Sequence, residues 1–160
     1  MAQKSSDGLV VSFPSDVEIK MVRVFDAPRE LVFRAHTSCE HVTNWWGQRA
    51  SKLTCEMDFR PGGSYRFVDH SEDGREDAFR GEYREIVAPE KIVQTFEYEP
   101  MAGHIVEETL LFTEEDGKTV LTNLSVYASK EDRDGMVASG MESGAAESLD
   151  QLEEYVRTMA

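Results

Sequence analysis

Residues 129–159, SKEDRDGMVASGMESGAAESLDQLEEYVRTM, decide the fold of the chain. Ser129 precedes Glu131 and Asp132, which is the pattern of a helix cap followed by acids in the first turn. Apolar residues then recur at helical spacing, at Val137, Met141, Ala145, Leu149, Leu152 and Val156. This spacing predicts one long amphipathic helix, which needs a sheet to pack against.

Three glycines interrupt the predicted helix, at Gly135, Gly140 and Gly144. A glycine inside a helix costs up to about 1 kcal/mol relative to alanine. Their presence suggests that either a strand or a bound molecule approaches the helix closely. We therefore expect a sheet that wraps around this helix, with the functional site in the space between them.

Upstream of the helix, apolar and polar residues alternate, which predicts β-strands. A strand at residues 17–25 comes first, and two short helices follow it, starting near Asp26 and at Cys39. Six further strands are predicted at residues 51–59, 64–70, 78–87, 91–98, 104–113 and 119–127. Because short turns such as Asp73-Gly74 and Asp116-Gly117 separate them, we expect an α+β fold with an antiparallel meander of about six to seven strands.

The composition is that of one globular domain, with 160 residues, 40% of them hydrophobic and 30% charged, and a net charge of −14. The negative charge argues against nucleic acid or an anionic membrane as a partner, because both bind basic patches. The chain shows no membrane-spanning apolar run and no apolar segment of a secretion signal at its N-terminus. We expect a single domain at residues 16–160, preceded by a tail or a short edge strand at residues 1–15.

Cys39 and Cys55 are the two cysteines, and their spacing matches no metal or redox motif. We therefore predict reduced thiols and a cytoplasmic location. His36, Cys39 and His41 are close in sequence, but a zinc site needs about four ligands and no second cluster supplies them. The chain also lacks a nucleophile elbow, a phosphate loop and a dinucleotide fingerprint. No catalytic residue, metal or cofactor is predicted.

Several stretches occur together in the order of a known family: residues 23–28 (RVFDAP), 45–47 (WWG), 55–63 (CEMDFRPGG), 81–93 (GEYREIVAPEKIV) and 134–136 (DGM). Between about Val17 and Val156 the chain resembles the bacterial homologues of the activator of heat-shock protein 90 ATPase, of the C-terminal domain type. That family belongs to the START-like, or birch-pollen-allergen-like, superfamily (SRPBCC). The chain departs from the family at Gln48, where proline is common.

The resemblance implies a helix-grip fold, in which a curved antiparallel sheet grips a long C-terminal helix and two short helices close one end. It also implies a cavity between the sheet and the helix, which in superfamily members holds lipids, hormones or polyketides. A role in the stress response is implied by the family name alone.

Aromatic residues of the strands and of the second short helix, together with small or apolar residues of the C-terminal helix, are the candidates for the cavity wall. They are Trp45, Trp46, Tyr65, Phe67, Phe79, Tyr83, Phe96, Met141 and Ala145. On a short helix the two adjacent tryptophans point about 100° apart. They are either an aromatic wall for a ligand or a packed cap on the end of the sheet, and large aromatic residues more often serve packing. Likewise, the small helix residues permit either open space or close packing on the sheet.

Three arginines in the predicted strands, Arg66, Arg80 and Arg84, could reach a carboxylate ligand. The alternative is that they form salt bridges to acidic neighbours, for which the candidates are Glu82, Glu85, Glu107 and Glu108. Such exposed pairs contribute only about 0–1 kcal/mol.

Three functions are open at this stage. The first is binding of a small hydrophobic or amphipathic molecule in the cavity, which the glycine-bearing helix and the aromatic strands favour. The second, regulation of a heat-shock protein 90 ATPase by contact with the chaperone, follows from the family name. The third is a polyketide cyclase or aromatase, which follows from analogy of fold and predicts an ionisable pair with shifted pKa values inside the cavity. A monomer and a homodimer are both compatible with the sequence.

Overall fold

The computed structural model describes residues 3–6 and 8–159, with side chains from residue 8 onward. The predicted N-terminal tail therefore falls partly outside the described residues, at positions 1, 2 and 7. Leu9–Ser12 is a strand, and it pairs on both sides rather than lying at the edge of the sheet.

Nine strands in the described part of the chain form one curved, unclosed antiparallel sheet. They are β1 (Gln3–Ser6), β2 (Leu9–Ser12), β3 (Glu18–Phe25), β4 (Lys52–Met57), β5 (Ser64–His70), β6 (Glu76–Val87), β7 (Lys91–Tyr98), β8 (Val106–Glu115) and β9 (Lys118–Val126). Their order is β1-β2-β3-β9-β8-β7-β6-β5-β4. The predicted α+β helix-grip fold is confirmed, and the strand count exceeds the prediction because an N-terminal hairpin adds β1 and β2.

The helices are α1 (Arg29–Arg34), α2 (Cys39–Val42), α3 (Lys130–Ala138) and α4 (Met141–Met159), with a short 3-10 helix at Glu99–Met101. The pair α1 and α2 follows β3, as predicted. Ser129 caps α3, since its hydroxyl accepts a hydrogen bond from the backbone N–H of Asp132 at 3.1 Å. That contact satisfies one of the unpaired N–H groups in the first turn.

The prediction of a single helix over residues 129–159 is wrong in one respect, because the helix breaks between α3 and α4. Gly140 has φ of +83°, in the left-handed region that glycine adopts without steric cost. Val137, which the periodicity placed on the buried face, is exposed on α3. The buried face belongs to α4, where Leu152 and Val156 are fully buried.

The prediction of reduced thiols is wrong, because Cys39 and Cys55 form a disulfide with their Cα atoms 5.7 Å apart. The bond joins the first residue of α2 to β4, and the two elements meet only through tertiary packing. No sequence spacing signals such a pair. The disulfide also removes the argument from the cysteines for a cytoplasmic location.

On the outer face of the sheet, Arg66, Arg80 and Arg84 form salt bridges within the protein rather than a binding site for a carboxylate ligand. Arg84 pairs with Glu107 at 3.1 Å, which was one of the expected partners. The partners of the other two differ from the expected ones, and they are Glu99 for Arg66 and Glu97 for Arg80. Glu108 forms none of these pairs, because alternation along β8 turns its side chain to the inner face.

The core consists of two apolar clusters, one at each end of the space beneath the helices. The larger cluster contains Phe25, Phe112 and Leu152, and the smaller one contains Leu9 and Ile19. The C-terminal half of α4 packs into the larger cluster, whereas its N-terminal half carries mostly small residues. This change along α4 leaves room between the helix and the sheet.

Candidate functional site

A cavity of about 690 Å³ lies between the concave face of the sheet and the helices α3 and α4. The N-terminal half of α4 contributes small residues to its wall, including Gly144, Ala145 and Ser148. Apart from its chain neighbours and the nearby backbone of its own helix, a Cβ atom built on Gly135, Gly140 or Gly144 would meet no described atom within 4 Å. These glycines therefore face open space, and close packing against a strand does not explain them.

All nine residues predicted for the cavity wall line this cavity in the structure: Trp45, Trp46, Tyr65, Phe67, Phe79, Tyr83, Phe96, Met141 and Ala145. Five are aromatic residues of the strands, and they cover the sheet side. The two tryptophans come from the turn after α2, and the other two lie on α4. Their position on the wall is observed, while their role in holding a ligand remains a prediction.

The turn after α2 places the two tryptophans differently. Trp45 is buried, and its indole N–H donates a hydrogen bond to the carbonyl of Ala35 at 2.9 Å. Trp46 is half-buried, and its ring meets Phe67 and Phe79 edge to face, with centroids 5.0 and 5.1 Å apart. Trp45 therefore serves packing as well as the wall, and Trp46 offers an aromatic surface to the cavity.

Helix α4 holds this turn in place. The side-chain amide of Gln151 donates to the carbonyl of Gly47 at 2.8 Å, and the hydroxyl of Ser148 donates to the carbonyl of Trp45 at 3.1 Å. Gly47 has φ of +97°, a conformation that disfavours any other residue. These contacts fix the tryptophans against the helix that forms the opposite wall.

Three polar side chains from neighbouring strands interrupt the apolar wall. Gln94 on β7 donates from its amide to the carboxylate of Glu108 on β8 at 3.0 Å, and Asn123 on β9 also hydrogen-bonds this carboxylate. We call Gln94, Glu108 and Asn123 the polar row. Burial raises the pKa of the Glu108 carboxyl, although the hydrogen bonds from Gln94 and Asn123 oppose that shift. Sequence reasoning missed this row.

Two further ionisable side chains in the wall are occupied by protein partners. The guanidinium of Arg23 bonds Asp150 at 2.5 Å and Glu153 at 2.8 Å. Burial lowers the pKa of His36 to about 4, and its Nδ1 lies 2.8 Å from the carbonyl of Val32. His36 is therefore neutral at pH 7, with Nδ1 as the donor.

The mouth of the cavity is marked by the exposed residues among its lining. They include Gly140 at the junction of α3 with α4, Met101 at the end of the 3-10 helix, and His104 in the loop before β8. His104 lies 2.9 Å from the carboxylate of Asp132 and so links this loop to α3. Within the described residues, no group of three or more His, Cys, Asp and Glu side chains is placed to hold a metal ion. None of the described helices combines the length and the apolar character needed to cross a membrane.

Comparisons with known proteins agree with this architecture. The family model described as "Activator of Hsp90 ATPase homolog 1-like protein" matches residues 26–157. A crystal structure of a Rhodobacter sphaeroides protein is 26% identical, covers 94% of this chain and 99% of its own, and superposes with a TM-score of 0.85.

Two more distant crystal structures share the fold. Protein NE0264 from Nitrosomonas europaea is 19% identical, with 92% of this chain and 98% of its own covered and a TM-score of 0.82. Protein Ms6760 from Mycobacterium smegmatis is 21% identical, with 96% of each chain covered and a TM-score of 0.82. Among curated proteins, none matches the chain.

Proposed function

We propose that this chain, which belongs to the family of Activator of Hsp90 ATPase homolog 1-like proteins, binds a small hydrophobic or amphipathic molecule in the cavity between its sheet and α4. The observation that carries the proposal is the cavity itself. Its volume of about 690 Å³ falls within the range of about 300–1,000 Å³ that small-molecule sites occupy.

The chemistry of the wall supports an apolar ligand body. Phe67, Phe79 and Phe96 form a continuous aromatic surface with Trp46, and the rings of Phe79 and Phe96 stack with centroids 5.3 Å apart. A ligand that covers this surface removes apolar area from water, which is favourable by about 25 cal/mol per Å². A few polar groups at one place in such a wall are typical of a site that orients its ligand.

A fluorescent probe tests the proposal. N-phenyl-1-naphthylamine is uncharged, and its emission rises when it enters an apolar site. We expect saturable binding with one probe per chain, together with a change in the emission of the two tryptophans, Trp45 and Trp46, since both line the cavity.

Two variants locate the binding. Ala145→Phe places a phenyl ring on the cavity wall and should weaken probe binding at least tenfold, because the ring takes the space of the ligand. Ala138→Phe makes the same change at an exposed position of α3 outside the cavity lining and should bind as the wild type does. Thermal melts confirm that both variants fold. Unchanged probe affinity in a folded Ala145→Phe protein would contradict binding in this cavity.

A further inference from the structure

We infer that the polar row Gln94–Glu108–Asn123 is a head-group site that selects amphiphiles with an uncharged or cationic hydrogen-bond donor, such as a hydroxyl or an amine, and excludes carboxylates. The inference rests on the proposed function, because it assumes that the cavity holds a ligand. It adds the chemical class of that ligand and names the residues that bind its head group.

Strand register brings the row together. Gln94 lies directly opposite Glu108 in the pairing of β7 with β8, and Asn123 lies opposite Leu110, two residues along β8. All three side chains point to the concave face and line the cavity. Side chains from three adjacent strands therefore form one polar patch on an otherwise largely apolar wall.

The row offers acceptor oxygens to a ligand. The amide of Gln94 already donates to Glu108, and the carboxylate, when ionised, has only acceptor oxygens. The side-chain oxygen of Asn123 is buried and has no hydrogen-bond partner among the described residues. A buried acceptor without a partner is unfavourable, so polarity is kept at this place in the wall at a cost.

The charge of the lining points the same way. Among the described residues of the wall there are five carboxylates (Asp69, Asp77, Glu108, Glu131 and Asp132) and two arginines (Arg23 and Arg75). Arg23 is bound by Asp150 and Glu153, and Arg75 is paired with Asp77 at 3.1 Å. A carboxylate ligand would therefore lie near Glu108 without a free arginine to balance it, whereas an ammonium group would pair with Glu108.

The test compares head groups on one alkyl chain. Dodecylamine, dodecan-1-ol and dodecanoic acid displace N-phenyl-1-naphthylamine at pH 7, each below its critical micelle concentration. We expect dodecylamine and dodecan-1-ol to bind at least tenfold more tightly than dodecanoate, because the apolar contacts are equal and only the head group differs.

Matched variants test whether the polar row causes this order of affinities. Glu108→Gln keeps the shape of the side chain and removes its negative charge. It should therefore weaken the binding of dodecylamine at least tenfold and leave the affinity for dodecan-1-ol within about threefold of the wild-type value. Glu107→Gln is the neighbouring change on the outer face, where Glu107 pairs with Arg84, and it should leave all three affinities unchanged. Thermal melts check folding, and the order in the wild type is decisive even if Glu108→Gln does not fold.

The possible results separate the two proposals. Binding of the probe with dodecanoate as tight as dodecylamine would overturn the inference and leave the proposed function standing. Equal effects of Glu108→Gln and Glu107→Gln in folded proteins would also overturn it. No binding of the probe or of any of the three amphiphiles would contradict the proposed function, and the inference with it.

Discussion

Acidification should destabilise this protein through one residue, His36. Its pKa is about 4 in the folded protein and 6.5 as the ordinary value, and burial among Trp45 and Phe112 is the main cause. A histidine whose pKa is lowered by folding takes up protons mainly in the unfolded chain as the pH falls from 6.5 to 4. Within this window, each pH unit of acidification lowers the free energy of unfolding by about 1.4 kcal/mol. Between pH 7 and pH 5, His36 should therefore lower the free energy of unfolding by about 2 kcal/mol.

The measurement is chemical denaturation at pH 7 and at pH 5, followed by tryptophan emission, for the wild type and for His36→Asn. Asparagine does not titrate, and its amide can still donate to the carbonyl of Val32. Burial raises the pKa of Glu108, which acts in the opposite direction, but this contribution is common to both proteins and cancels in the difference. If His36→Asn loses as much stability as the wild type between pH 7 and 5, the neutral buried state of His36 is refuted.

Two predictions concern the frame around the cavity. A Cβ on Gly81 would lie 2.0 Å from the carbonyl oxygen of Thr95, so Gly81→Ala should lower the free energy of unfolding by about 3 kcal/mol. Gly135 lies in open space, so Gly135→Ala should raise the free energy of unfolding by about 0.5–1 kcal/mol. Denaturation curves that show equal effects of the two substitutions would contradict this prediction. Replacing Cys39 and Cys55 by serine should cost about 3 kcal/mol, as expected for a closed loop of this length. A thiol titration that finds two free thiols in the purified wild-type protein would contradict the disulfide.

The strands could be predicted because alternation is a local signal. Ser64–His70 and Lys91–Tyr98 have the same bounds in the sequence-based prediction and in the structure. Each lies between turn residues, and its apolar and polar residues alternate regularly. The alternation and the flanking turns therefore indicate the same strand bounds. The order of neighbours also followed, since short turns between successive strands allow mainly antiparallel pairing.

The break in the C-terminal helix and the disulfide could not be predicted in the same way. An apolar period that continues through Gly140 does not reveal that the backbone turns there, because φ at a glycine is set by the packing of both helices. The bond between Cys39 and Cys55 depends on how α2 docks beside β4, which is tertiary information. The helix break borders the cavity at Gly140, so the shape of the wall depends on contacts that local patterns do not encode.

The polar row, by contrast, did leave a signal in the sequence. Along β8, Glu108 lies in phase with the buried residues Val106, Leu110 and Phe112, so it is a charged residue within an apolar stretch of that face. Gln94 interrupts the inward phase of β7, between Ile92 and Phe96, in the same way. Since burying a polar group carries a cost, polar residues at neighbouring strand positions on this face are candidates for a functional role. In a helix-grip fold, polar residues in the apolar phase of neighbouring strands are therefore the first place to look for the group that orients a ligand.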